Sequence, residues 1–441
     1  MTLHIDEGAS TMLSSEVSSD PPRPTLTSRA FPWVVFALTF GLLLSDYMSR
    51  QVLSAIFPLL KSEWGLTDTQ LGSLTGVVAL AVGVLAVPLS ILGDRFGRVR
   101  AILAMGTVWS LATLGCAIAS SYGQLMLARL LLGVGEAAFG SVGLAVVLAV
   151  FPASRRAALT GAFMAGGVFG AVFGVAIGGL LAERMGWRAS FVAMAVIGFV
   201  LVAFYRLLVS EEKLAAHRVD VDPATVSSYR PKLSTLFATP AVLLAYAGSG
   251  VQLFVAGSLY GWLPSYLHRA YGLEVDRAAV SAAGFFLLMG AGMILCGVLT
   301  DRLCAAVPVR KWTTSIVYAA ITLVALGLAF SQSPGAWQLV LIGVGAFFCA
   351  GTAGPAGAMV ANLTPEPLRA TAFGTLTLAN NLLGLAAGPF VMGVLADRYG
   401  LATAFQTLPF VCALTIVLLW AGRSCYPASL ARGQRKVEVE R

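Results

Sequence analysis

Apolar runs of about 20 residues follow one another along the chain, separated by short polar stretches rich in glycine, arginine and acids. Within a run the apolar residues lie on all sides of a helical projection, the pattern of a helix surrounded by hydrocarbon. The runs predict helices over 32–58, 69–91, 101–119, 124–150, 157–182 and 187–209, then over 239–263, 277–299, 312–330, 337–361, 370–395 and 401–421. At 1.5 Å of rise per residue each can cross a hydrocarbon core of ~30 Å. The expected fold class is an all-α integral membrane protein with twelve transmembrane helices. The phrase Leu66-Thr67-Asp68-Thr69-Gln70 before the second run reads as a helix start, with Thr or Asp as the cap.

The polar punctuation repeats. Ser90-Ile-Leu-Gly-Asp94-Arg95-Phe-Gly97-Arg98 returns as Gly179-Leu-Leu-Ala-Glu183-Arg184-Met-Gly186, as Gly297-Val-Leu-Thr-Asp301-Arg302, and as Gly393-Val-Leu-Ala-Asp397-Arg398-Tyr-Gly400. The first and third copies are 207 residues apart and the second and fourth 214, so the chain consists of two related halves, each of two related quarters. This predicts two pseudo-symmetric six-helix bundles, at 32–209 and 239–421. They are joined by a polar linker at 210–238 and flanked by a Ser/Thr/Pro-rich, disordered tail at 1–31 and a second tail at 422–441. Nested repeats in a many-span membrane protein point to a transporter that rocks one half against the other.

Composition agrees: 58% of residues are hydrophobic and 11% charged, where a soluble domain carries about 25% charged residues. With both termini on the cytoplasmic side, 21 of the 29 basic residues fall in inside loops and tails and 6 in outside loops. That asymmetry sets the expected orientation, in a plasma membrane of bacterial inner-membrane type. It also accounts for the net charge of +8 without nucleic acid, because the basic residues are scattered over short loops. The six cysteines show no C-x-x-C spacing, so neither a metal site nor a disulfide framework is expected, and no cofactor is implied. The three histidines lie in tails or loops, which argues against a membrane-embedded enzyme, and no filter or ring of charge suggests a channel.

The loop Asp94-Arg95-Phe96-Gly97-Arg98-Val99-Arg100 resembles the signature loop of the major facilitator superfamily, with Ser90 in place of that motif's first glycine. The resemblance extends over nearly all of the chain after the N-terminal tail. It implies a gate on the cytoplasmic side in which Asp94, Arg95 and Arg98, with Asp301 and Arg302 of the third copy, hold the halves together. Acids beside helix ends, flanked by guanidinium groups, suit contacts that form and break. The alternative is that these residues only set topology. The fifth helix carries Gly161, Gly170, Gly174, Gly178 and Gly179, a spacing the family links to antiporters, although Val175 stands where proline is expected. Close helix packing is the preferred reading of those glycines.

Four ionisable residues fall inside predicted spans: Asp46 and Arg50 in the first, Arg129 and Glu136 in the fourth. Each costs about 2.5–3.5 kcal/mol near the bilayer centre unless neutralised, and the set of two acids and two bases can neutralise itself. Asp46 and Arg50 are one helical turn apart; Arg129 and Glu136 share a face. The interiors of the C-terminal spans hold no Asp, Glu, Lys or Arg. The N-terminal half is therefore expected to handle a proton, through Asp46 or Glu136, and the acidic group of a substrate, through Arg50 or Arg129. A permanent structural ion network is the alternative, and sodium coupling a minor third.

Arg129-x3-Gly133-Val-Gly135-Glu136-Ala137 resembles the fourth-helix motif of the Spinster-like subfamily and that of organic anion:cation symporters. Both have an acid where this chain has Ser49, so the acid role is expected at Asp46 or Glu136. The resemblance is closer to the Spinster-like group. In the C-terminal half Gln252, Tyr260, Asn380 and Asn381 are expected to offer neutral contacts to substrate. The expected activity is secondary active transport of a small organic solute, anionic or amphiphilic, by a monomer in the lipid bilayer using the proton gradient. The alternatives are Spinster-like export of lysolipid or another amphiphile, and uncoupled facilitation.

Overall fold

The computed structural model describes residues 26–217, 237, 239–304, 307–364 and 368–439, and among these there is no strand. The expected tail over 1–25 and the linker over 218–236 lie outside the described residues. Among the described residues, twelve helical spans are long and apolar enough to cross a membrane.

In chain order the helices are α1 (Leu26–Ala55), α2 (Phe57–Trp64), α3 (Asp68–Phe96), α4 (Arg98–Ile118), α5 (Tyr122–Glu136), α6 (Phe139–Ala149), α7 (Arg156–Met185), α8 (Trp187–Leu208) and α9 (Glu211–Ala216). There follow α10 (Pro240–Tyr271), α11 (Val275–Cys304), α12 (Arg310–Phe330), α13 (Ala336–Cys349), α14 (Ala353–Leu363), α15 (Arg369–Ala379), α16 (Ala387–Tyr399), α17 (Leu401–Phe405) and α18 (Leu408–Val439).

Several expected single helices are broken for local reasons. The first ends at Ala55 and restarts as α2, where Pro58, lacking an N–H, sits in the first turn. It also begins earlier than expected, at Leu26. The fourth divides after Glu136, in a stretch where Gly133, Gly135 and Gly140 weaken the helix. The tenth divides between Cys349 and Ala353, around Gly351 and just ahead of Pro355. In the eleventh a π-helical segment, Asn380–Ala386, joins α15 to α16. The last helix runs on to Val439, through most of the region expected as a tail. The start of α3 is as expected: Thr67 Oγ1 accepts from the Gln70 N–H at 3.1 Å and the Gln70 side chain accepts from the Thr67 N–H at 3.0 Å.

The last glycine of the repeated phrase has a backbone task. Gly97, Gly186 and Gly400 sit at φ of 96°, 82° and 82°, each at a sharp junction between two helices. Side chains with a Cβ rarely adopt that region.

Packing differs between the two ends of the molecule. At the end away from the tails, residues of both halves share one apolar cluster, including Phe57, Trp187, Trp262, Phe286 and Phe405. Phe57 and Trp262, from different halves, have ring centroids 5.0 Å apart. Toward the tails the cores separate. One holds Leu42, Trp109, Phe139 and Phe163 of the N-terminal half; the other holds Tyr246, Trp312 and Met359 of the C-terminal half.

The polar contacts follow the same division. Among the described residues, the hydrogen bonds between halves lie at the end away from the tails. Asp397 accepts from the backbone N–H groups of Asp68 (2.7 Å) and Thr69 (2.8 Å). Arg269 donates two bonds to Asp68, at 2.8 and 2.7 Å. Also at this end, within the N-terminal half, Glu63 accepts from Arg188 (2.8 Å) and Trp187 (2.6 Å), and those bonds hold its carboxyl below the usual carboxylate range.

Candidate functional site

The buried charges meet where α1 passes α5. Both helices are held from behind by residues without side chains: Gly174 of α7 lies on α1, where a Cβ would stand 2.7 Å from the Met48 backbone, and Gly135 of α5 lies as tightly on Trp109 of α4. The glycines of α7 are thus in use as packing surfaces.

Arg50 donates from Nε (3.0 Å) and Nη2 (2.7 Å) to Oε2 of Glu136. Their side chains are 14% and 0% exposed, so the pair sits at the edge of the protein interior with only the arginine reaching open space. Asp46 is 3% exposed and lies close enough to Glu136 and Arg50 for their charges to act on it. Asp46 Oδ1 and Glu136 Oε1 have no partner. The order is acid, acid, arginine: the structure pairs Arg50 with Glu136 across helices rather than with Asp46 one turn away. Tyr47 completes the group, its ring 5.3 Å from the Arg50 guanidinium.

Arg129 is placed differently from the sequence expectation. It is fully buried, and its guanidinium donates to three backbone carbonyls: Leu74 of α3 (3.3 Å), Ser49 (3.1 Å) and Arg50 (3.1 Å) of α1. Its donors are directed to the main chain and not toward Glu136 or open space. A guanidinium spreads donors in a plane, so one side chain can tie α5 to two neighbouring helices.

In the C-terminal half Tyr260 of α10 is half-buried, packs on Phe286 at 4.7 Å between ring centroids, and lies within electrostatic reach of Tyr47 across the halves. Gln252 is fully buried; its Nε2 donates to the Cys349 carbonyl at 3.0 Å and its Oε1 has no partner. Asn380 and Asn381 open the π-helical segment, a distortion that recurs at functional sites. The Asn381 amide donates to the Thr377 carbonyl at 2.9 Å, and Oδ1 of both residues is unpartnered. Asn381 also packs on Gly83 of α3, which puts it on the seam between halves.

Of the expected gate, Arg95, Asp301 and Arg302 are exposed. Asp301 stands 3.9 Å from Lys311 of its own half. Arg98 is half-buried, and the side chain of Asp94 lies outside the described set. Beside them, Glu211 of α9 accepts from the Val99 N–H at 2.8 Å and so caps α4.

Sequence reasoning noted Ser49 only as the place of a missing acid and did not single out Gln51 and Ser45; all three are buried with unpartnered polar atoms around the charges. Their signal was present, as polar residues in an apolar run. The outer cluster of Lys61, Asp68, Arg269 and Asp397 was also missed, because each residue alone reads as a loop or cap residue. A groove of about 590 Å³ between α4 and α8 is lined by Leu103, Thr107, Phe199, Val202 and Arg206, none of them an expected site residue.

Comparison with known proteins places this architecture. The profile of the Major Facilitator Superfamily matches residues 39–353 and 278–438. A probable L-galactonate transporter of Escherichia coli is 26% identical over 82% of this chain and 82% of its own length. Spinster homolog 1 of Xenopus laevis is 23% identical over 83% of this chain and 73% of its own. Among solved structures, a bacterial homologue of the human lysosomal transporter Spinster, inward-facing and occupied, superposes with a TM-score of 0.75 at 20% identity, covering 91% of this chain and 97% of that one. Relatives of this kind are transporters and not enzymes. With twelve apolar helices, a duplicated signature phrase and a family match over most of its length, this chain is an integral, multi-pass membrane transporter belonging to the major facilitator superfamily.

Proposed function

We propose that the protein is a secondary active transporter that moves a small organic anion by alternating access, coupled to protons through Glu136 and Asp46. The observation that carries this reading is the Arg50–Glu136 ion pair with Asp46 beside it, at the edge of an otherwise apolar half. Arg50 is the cation that meets the substrate acid. When a substrate carboxylate or phosphate takes the guanidinium, Glu136 loses its counter-ion while still buried, and a carboxyl in that position binds a proton. Two neighbouring carboxyls give the proton two stations. Arg129 holds the backbone of α1 at Ser49 and Arg50, so we assign it to positioning the pair.

Tyr260, within electrostatic reach of Tyr47, is assigned as a neutral contact for the rest of the solute, with Gln252, Asn380 and Asn381 as further neutral groups of the C-terminal half. With tails and linker cytoplasmic, as the basic residues favour, the shared outer cluster and the split inner cores support reading this as an inward-open state.

A second reading is Spinster-like movement of an amphiphile such as a lysolipid. The contrast between the charged group of the N-terminal half and the neutral Tyr260 of the C-terminal half, packed on the buried Phe286, favours it. Uncoupled facilitation is the remaining alternative.

Proteoliposomes separate these. Under a pH gradient, Glu136→Gln or Asp46→Asn is expected to abolish gradient-driven uptake of organic acids and to spare substrate exchange at zero gradient. Equal loss of both modes would make the network structural. A thermal-shift screen of organic acids and lysolipids at two pH values decides the solute class.

A further inference from the structure

The fourth copy of the repeated phrase makes a contact that neither the signature loop nor the buried charges explain. Gly393 and Asp397 are one helical turn apart near the end of α16, on the same face. Gly393 lies directly on the start of α3, where a Cβ would meet the Asp68 carbonyl and come within 3.0 Å of the Thr69 Cα. That approach lets Asp397, one turn on, reach the first turn of a helix belonging to the other half. It accepts from the N–H groups of Asp68 and Thr69 and, at 2.6 Å, from the Thr69 hydroxyl. Backbone N–H groups in a first turn have no partner within their own helix, and the helix dipole favours an anion there.

The residue so capped is itself a bridge. Asp68, 2% exposed, takes both Arg269 guanidinium nitrogens from α10 of the C-terminal half and Lys61 of its own half at 2.7 Å. We infer that Asp397 on the α3 N-terminus and Arg269 on Asp68 form an outer latch, released as a unit when the halves part at this end. The N-terminal half stays provided for after release: Asp68 keeps Lys61, and α3 keeps the Thr67–Gln70 capping box.

The latch is one-sided. Glu183, the matching acid of the second copy at the end of α7, is exposed with no hydrogen bond among the described residues. The neighbouring Gly179 only packs on Ala279 of α11. Among the described residues, the α3–α16 seam carries these charged contacts in addition to its packing, and the α7–α11 seam carries packing alone.

The test is a distance measurement between spin labels at Met185 and Tyr399, which are 70% and 63% exposed at the outer ends of the two halves. The labels are placed on the full chain carrying Cys425→Ser, since the other cysteines are buried. Asp397→Ala and Arg269→Gln are each expected to raise the long-distance population severalfold. Asp397→Asn, which keeps a capping acceptor, restores part of the short distance, and Glu183→Gln leaves it unchanged.

The inference rests on the rocking of the halves, and the outcomes separate the two. If substrate or pH lengthens the wild-type distance while folded Asp397→Ala and Arg269→Gln match wild type, the latch is wrong and rocking stands. A shift with Glu183→Gln as large as with Asp397→Ala also overturns the latch. If no variant or condition lengthens the distance, the rocking reading fails with it.

Discussion

Arg50 and Arg129 are both arginines in helices of the N-terminal half, yet their surroundings give them opposite parts. Arg50 pairs with a carboxylate and keeps some exposure, so a competing anion can reach it; Arg129 is fully enclosed by main-chain carbonyls. Hydrogen bonds to a charged group contribute about 1.5–3 kcal/mol each and are not additive. Arg129→Ala is therefore expected to cost at least about 3 kcal/mol of stability, read as a lower melting temperature in detergent. Arg129→Lys recovers little of this, because an ammonium lacks the planar fork that reaches three carbonyls. Substrate affinity of the Arg129→Ala protein that remains folded should fall only together with its stability, through a less firmly held Arg50, and less than in Arg50→Ala. A selective loss of affinity at unchanged stability would return Arg129 to the substrate site. The four charges were visible in the sequence as anomalies in apolar runs. Which acid meets which base was not, because helical spacing describes neighbours on one helix, and the short contact runs between two.

At the scale of elements, glycine spacing and capping chemistry were legible and their partners were not. The spacing in α7 predicts a packing face; the structure supplies α1 as the partner, with Gly174 on the Met48 backbone. Gly174→Val is expected to destabilise by about 1–3 kcal/mol through overpacking and to reduce folded yield, measured by size-exclusion profile and melting temperature. Thr67→Ala removes a cap whose partner is Gln70 and should cost about 1 kcal/mol. The interruptions in the first, fourth and tenth spans were not anticipated, although Pro58, Gly135 and Pro355 lay in view. A continuous apolar run outweighs a single weak helix former when only hydropathy is read. The π-helical segment at Asn380 has no sequence signature at all, since it depends on how α15 and α16 seat against α3 and α10.

Across the whole molecule, the arrangement is that of a carrier closed at one end. The orientation can be checked directly. Single cysteines at exposed Arg95 and Asp301 are expected to be blocked in intact cells only by membrane-permeant thiol reagents. A cysteine at Tyr399 should be blocked by an impermeant one. The reverse pattern would invert the topology and make the closed end the cytoplasmic one.

The linear order of residues was enough to determine the span count, the twofold duplication nested in each half and the confinement of buried charge to the first half. Each of these follows from local hydropathy or self-similarity, which a bilayer converts directly into helices. Only the tertiary structure decided that Glu136 takes Arg50, that Arg129 serves the main chain, and that Asp397 crosses to cap α3. Those pairings depend on how helices distant in sequence are set side by side. If the halves alternate between two packings as proposed, one sequence encodes both and cannot display which is occupied.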